Sequence, residues 1–162
     1  MAWNWRDPAL KVLVVWWRLT RPRTVGVRGI VTDADGRILF VRHNYGARTW
    51  YLPGGGSNGN ESTDEAVVRE MREETGLAVE VTRLVGVYLW LGAYKRDHIF
   101  VFACQRLGGE LQADGTEISA AGWYPLDALP EPLTSGMGAV LEHWQSGHTG
   151  YGRWPDATSI RR

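Results

Sequence analysis

Pro53 runs directly into Gly54, Gly55 and Gly56, and a short polar stretch later the chain reads S-T-D-E-A-V-V-R-E-M-R-E-E-T-G-L from Ser62 to Leu77. Consecutive glycines suit neither a helix interior nor a strand, so a sharply bending loop must hand the chain to a helix here. Ser62 followed by Glu65 fits a capping box, and Gly76 stands where a left-handed C-terminal cap belongs. Ala66, Val67 and Met71 supply an inward stripe, while Glu70, Glu73 and Glu74 crowd a neighbouring face. Spacings of three and four set those carboxylates roughly 5–6 Å apart at Cβ, where like charges repel. Two remedies are open: a solvated face on which Arg69 pairs with Glu73 and Arg72 dilutes the charge, or a cation held between the acids.

The flanking segments read as strands. T-V-G-V-R-G-I-V-T from Thr24 and R-I-L-F-V-R-H from Arg37 are β-branched and apolar, joined through D-A-D-G as a hairpin. T-W-Y-L is a short strand ending at Pro53. After the helix, L-A-V-E-V-T-R-L-V-G-V-Y-L-W-L and H-I-F-V-F-A-C-Q-R give two longer strands and A-G-W-Y-P-L a last one. Pro132 to Gln145 reads as a closing helix, with Met137, Val140, Leu141 and Trp144 spaced for burial, and residues 147–162 as an irregular tail. The expected organisation is thus an apolar, tryptophan-rich segment over 1–22 holding a short helix, one domain over 23–146, and that tail.

Eighteen basic and eighteen acidic side chains cancel, so no global field draws the chain to a nucleic acid duplex or an anionic membrane, and any anion must be caught locally. The single Cys104 excludes an internal disulfide and reads as a buried strand residue, which permits a cytoplasmic setting. The longest apolar run, V-L-V-V-W-W from Val12, is too short to span a bilayer and lacks the marks of a secretory signal. Residues 9–19 would pack against the domain or a sister subunit; resting on a membrane surface is the less favoured alternative. Nine tryptophans hint at an apolar surface needing cover, as in a homodimer.

The stretch from Gly55 to Leu77 resembles the Nudix box, G-x5-E-x7-R-E-U-x-E-E-x-G-U with U a bulky apolar residue. Gly55, Glu61, Arg69, Glu70, Glu73, Glu74 and Gly76 match by identity, and Met71 and Leu77 fill the U places. Seven identities coincide by chance about once in 10^8 placements at ordinary composition. T-W-Y-L-P-G-G-G before the box and W-Y-P-L-D-A-L-P after it also resemble stretches common in that family; Asn60 and Ser57 depart from its usual residues at variable places.

The resemblance implies an α/β/α sandwich with a mixed β-sheet and a pyrophosphohydrolase that sends water onto phosphorus in a diphosphate linkage. It implies Mg2+, with Mn2+ as the alternative, held by Glu70, Glu73 and Glu74 and a backbone carbonyl of Gly54 or Gly55. Arg69 would brace the acids, Glu61 would steady the helix entrance, and Glu70 or Glu117 would be the general base. ADP-ribose or a nucleotide sugar is the first substrate expected, an oxidised nucleoside triphosphate the second. The rival is a catalytically silent Nudix-shaped module that senses a nucleotide; such a module is expected to have lost box acids, and this chain keeps them.

Substrate contacts are less marked. Arg28 and Arg42 interrupt apolar strands and by period two face away from their apolar neighbours, towards phosphate or towards solvent. Tyr45, Trp50, Tyr51 and Tyr88 could stack on a base or pack in the core, and His43 and His98 could bind or be structural. His143 and His148 have no ligand spacing.

Overall fold

The computed structural model describes residues 16, 20, 22–44, 48–92 and 95–154. Tyr45 and nearly all of the 1–22 segment, including most of 9–19, lie outside those residues. Among the described residues from 22 on, seven strands and two helices follow in the order β1 (Arg23–Val31), β2 (Ile38–His43), β3 (Trp50–Tyr51), α1 (Thr63–Thr75), β4 (Ala78–Gly92), β5 (Lys95–Gly108), β6 (Ile118–Tyr124), α2 (Met137–Ser146) and β7 (Gly150–Arg153).

The strands form a four-stranded mixed sheet, β1-β5-β4-β7, and a three-stranded antiparallel one, β3-β2-β6. β1 runs parallel to β5, and β7 parallel to β4. Alternation along β5 sorts the core. Phe102 and Cys104 join Val27, Val31, Ala66, Val67 and Met71 beneath α1, while Ile99, Val101 and Ala103 join Tyr88, Val140 and Leu141 beneath α2. A helix on each face of the mixed sheet gives the expected three-layer sandwich. Cys104 is buried, which pushes its thiol up to about 12.

The D-A-D-G turn forms, with the Asp33 N–H donating to Arg37 O and a bridge between Thr32 and Ile38, but β1 and β2 then part into different sheets. The reason lies on the free edge of β1. Residues 53–57 occupy it: Gly29 N–H donates to Pro53 O, Val27 N–H to Gly55 O and Ser57 N–H to Val25 O, each at 2.9–3.0 Å.

Two expectations at the C-terminal end need correction. The closing helix begins at Met137, because Pro132 to Thr134 are extended against β3: Trp50 N–H donates to Pro132 O and Thr134 N–H to Trp50 O. Gly136, with φ 80°, then turns the chain into the helix. The tail is not irregular as far as Trp154, since β7 adds a strand to the mixed sheet. Trp154 is buried, its N–H donates to Leu89 O, its indole to Ser135 O, and its ring stands edge-on to Tyr88. Trp154→Ala is therefore expected to cost about 3 kcal/mol of stability in urea unfolding; an irregular tail would give a change near zero.

Candidate active site

Both caps of α1 are as the sequence implies. Ser62 and Glu65 close a reciprocal capping box, and Gly76, at φ 72°, ends the helix with its N–H on Arg72 O. A side chain at Gly76 would also run into Glu110 O. The helix is thereby fixed in register beneath the glycine loop.

Glycine is needed in that loop because of how closely it lies on its neighbours. Gly54 has φ 137°, and a Cβ there would strike Val27 O. At Gly55 a Cβ would lie 2.6 Å from Glu70 Oε1, so the loop backbone sits directly on that carboxylate.

Arg69 spends all five of its N–H donors. Nε and Nη2 grip Glu61 at 3.0 and 2.7 Å, Nη1 reaches Glu70 at 2.8 Å and Glu73 at 3.0 Å, and Nη2 also donates to Gly56 O at 3.0 Å. This fork ties the helix to the entrance loop and holds two like-charged acids side by side. Glu61, which also accepts from Asn58 N–H, is held down to about 2, chiefly by its bonds to Arg69. Both remedies read from the sequence therefore begin from one geometry, with Arg69 on Glu73 as drawn. Arg69→Met should cost about 2 kcal/mol in urea unfolding, since it strands the half-buried Glu70 without its main partner.

Glu74 differs from its neighbours. Only 6% exposed, it accepts the Gly54 N–H at 2.8 Å. Burial pushes its pKa up to about 7; Glu70 and Glu117 nearby push the same way, and Arg28 and the Gly54 N–H oppose. Burial likewise raises Glu70, against the pull of Arg69. Glu73 is 60% exposed at its side chain.

Among the described residues no three carboxylate, imidazole or thiol groups converge on one point as they stand. The donor set nonetheless suits a hard cation. A buried carboxylate with its pKa raised, a second beneath the loop and a third on an exposed side chain are all oxygen ligands. Gly54 O accepts from the Arg28 guanidinium and Gly55 O from Val27 N–H, and each carbonyl keeps a second lone pair.

Arg28 lies across the Gly54 carbonyl and is close enough to Glu74, Glu70 and His43 to shift all three, so β1 places it against the loop. Arg42, on β2 of the three-stranded sheet, sits 5.3 Å from the Trp50 ring centre. His43 is buried, which lowers its pKa to about 4, with Arg28 adding to the effect, and it meets Tyr51 edge-on at 5.4 Å. Arg28, His43, Glu70, Glu74 and Glu117 thus belong to one electrostatic neighbourhood. Trp50 and Tyr88 are core residues, Tyr88 pairing with His143 at 2.7 Å on the α2 side. His98 lies on β5 and His148 is exposed after α2, and among the described residues neither is hydrogen-bonded or ion-paired to the box acids.

Two residues escaped the sequence reading. Asp114 accepts the backbone N–H groups of Thr116, Glu117 and Ile118, and Asn44 clamps the same turn by donating its amide to Gly115 O and Thr116 O and its N–H to Glu117 O. Together they fix the loop that carries Glu117. The D-G pair at Asp114 and Gly115 was the available signal, a turn marker with a carboxylate free to bond residues further on.

A family model described as NUDIX domain matches residues 22–144. ADP-ribose pyrophosphatase of Methanocaldococcus jannaschii is 38% identical over 119 residues, covering 71% of this chain and 69% of that protein. A putative 8-oxo-dGTP diphosphatase of Bacillus subtilis is 36% identical over 107 residues, 66% of this chain and 70% of that one. The crystal structure of an ADP-ribose pyrophosphatase from Streptococcus suis superposes with a TM-score of 0.63 at 32% identity, over 80% of this chain and 98% of the other. With the box acids gathered beneath the glycine loop and this likeness over most of its length, the chain belongs to the Nudix family and is a Nudix hydrolase, of the enzymes that act on phosphoanhydrides.

Proposed function

We propose that the protein is a magnesium-dependent pyrophosphohydrolase that cleaves a nucleoside diphosphate linked to a second moiety, ADP-ribose or a nucleotide sugar before an oxidised nucleoside triphosphate, with manganese able to replace magnesium. Nudix hydrolases in general use divalent metal ions. The observation that carries the reading is Glu74, an acid buried on the Gly54 N–H beside Glu70 and within reach of the charge of Glu117. A cluster that is costly alone becomes favourable around a cation. Glu70, Glu73 and Glu74, with the carbonyl of Gly54 or Gly55, would hold the ion, whose positive charge offsets that of the diphosphate oxygens.

The chain's own groups do the rest. Arg69 braces Glu70 and Glu73 against each other. Arg28 holds Gly54 by its carbonyl, while the N–H of the same residue donates to Glu74. Arg42, His43 and Tyr51 line the adjoining end of β2 and β3, where a phosphate or a base can be gripped and stacked. A carboxylate, Glu117 or Glu70, takes the proton of the attacking water as its oxygen bonds phosphorus and the bridging oxygen leaves with the other phosphate.

The substrate order leans on relatives named for ADP-ribose and 8-oxo-dGTP. Turnover of a nucleotide panel in water enriched with heavy oxygen, read by mass, is the test. We expect two monophosphates from ADP-ribose, with the label on one of them. Absence of any product from the whole panel with magnesium sinks the proposal, and release of pyrophosphate from oxidised triphosphates alone reverses the order.

A further inference from the structure

The row of the mixed sheet that meets the glycine loop is nearly bare. Gly56 bridges to Gly26 on the free edge of β1, and Gly26 pairs in turn with Ile99 on β5. Residues paired across strands project to one side, and Ile99 marks it as the side packed beneath α2. Two adjoining members of the row thus carry no side chain, and a Cβ at Gly56 would meet nothing within 4 Å. A trough leads from the catalytic loop onto the sheet.

The next row on that side holds Thr24, Asp97 and Trp90, two residues along from Gly26, Ile99 and Tyr88. Asp97 leans over the trough: its Oδ2 lies 3.2 Å from the point that a Cβ on Gly26 would take, and Gly55 O lies 3.6 Å from that same point. Thr24 donates its hydroxyl to Asp97 Oδ1 at 2.7 Å and so fixes the carboxylate. Among the described residues Oδ2 accepts no hydrogen bond and Asp97 forms no ion pair, while Arg96 and His98 beside it project by alternation to the opposite side. A part-buried acceptor oxygen, held in place over a floor without side chains, is set for a donor from outside the chain. One strand further, Trp90 is 38% exposed.

The order of these groups decides the ligand. Strands lie about 4.8 Å apart, so Asp97 stands one spacing and Trp90 two spacings from β1, whose edge carries the loop. A nucleotide presents phosphate, sugar and base in that same sequence. A carboxylate repels phosphate and only accepts hydrogen bonds, which suits sugar hydroxyls, and an indole offers its face to a base. We propose that Thr24, Gly26, Asp97 and Trp90 form a ribonucleoside subsite, in which ribose hydroxyls donate to Asp97 Oδ2 and the base lies on Trp90. The inference rests on the pyrophosphohydrolase reading above and adds to it a selection of ribose over deoxyribose. The second moiety then extends the other way, to the end of β2 and β3 where Arg42, His43 and Tyr51 stand.

Steady-state kinetics on the best ribonucleoside substrate, ADP-ribose being expected, and on its forms lacking the 2′- or the 3′-hydroxyl of the nucleoside test this, beside calorimetry of the corresponding monophosphates with magnesium. The wild type should favour the full ribose by at least about tenfold in kcat/KM over one or both deoxy forms, because the site's acceptor is otherwise left unpaired. Asp97→Asn keeps an oxygen for Thr24 and turns an amide to the trough. It should raise KM about tenfold with kcat within threefold, and reduce the preference to within about threefold. Trp90→Leu should raise KM about tenfold with the preference kept. Unchanged thermal unfolding of both variants shows that the fold is intact. A wild type that takes deoxyribose as readily as ribose, or an Asp97→Asn enzyme that keeps the full preference, overturns the subsite and leaves the hydrolysis standing. Monophosphate binding that prefers ribose and loses the preference in Asp97→Asn, without turnover of any nucleotide, supports the subsite and sinks the hydrolysis. Neither binding nor turnover overturns both.

Discussion

Glu74→Gln is expected to make the metal-free protein more stable and the enzyme nearly inactive. Folding raises the pKa of Glu74 from 4.5 to about 7, mainly through burial. Below the unfolded value the carboxyl is protonated in both states and burial costs nothing. As pH rises from about 4.5 to 7 the unfolded chain releases the proton first, so the folded state loses about 3 kcal/mol, a loss complete above pH 7. Glutamine keeps an oxygen for the Gly54 N–H and turns an amide towards Glu70 and Glu117. Part of the gain is offset by burying that amide, leaving ~1–3 kcal/mol at pH 8, or roughly 3–10 °C in Tm. Magnesium should reverse the order, stabilising the wild type and more so at pH 8 than at pH 6, because its ligands must be deprotonated. Turnover of the variant should fall by about 10^3-fold, the scale of losing a group that stabilises the transition state. Thermal unfolding in EDTA and in magnesium across pH, with steady-state kinetics, reads all of this. A variant less stable than wild type in EDTA at pH 8, or one keeping a tenth of its turnover, removes the case for Glu74 as the strained ligand.

What the sequence made legible was local. The capping box, the left-handed Gly76 and the acid spacing all lie within one helix, where sequence distance and spatial distance agree. The strands of the mixed sheet were legible because β-branched and aromatic residues recur through β1, β4 and the I-F-V-F run of β5. What was hidden depends on partners far along the chain. Gly150–Arg153 has no apolar alternation and is a strand only because the edge of β4 accepts it and Trp154 locks it down. Pro132 to Thr134 carries helix-compatible spacing, yet the backbone of β3 captures it. The glycine loop read as a free bend, and instead it hydrogen-bonds along β1, which brings Gly55 onto Glu70. The role of Arg28 was open for the same reason, since the carbonyl it holds is 26 residues away.

Glu117→Gln is expected to lower kcat by about 10^2- to 10^4-fold while changing KM less than about threefold, the range for loss of a general base. Of the two candidate bases, Glu70 is committed. Its Oε1 accepts from Arg69 at 2.8 Å, and the Gly55 backbone packs on its carboxylate. A carboxylate so bonded is a better ligand or brace than a proton acceptor. Glu117 is exposed, lies near enough to Glu74 to raise its pKa, and rides on the turn clamped by Asp114 and Asn44. That combination is what a base needs: a free carboxylate on a backbone held still. The variant should bind magnesium as the wild type does in calorimetry. Asp114→Ala, which frees the loop but leaves Glu117 in place, should lower kcat less, by about tenfold, and Asp114→Asn, which keeps an oxygen for the three N–H groups, should recover most of it. If Glu117→Gln turns over within threefold of wild type while Glu70→Gln loses kcat and still binds magnesium, the proton goes to Glu70 and the clamped turn serves the fold alone.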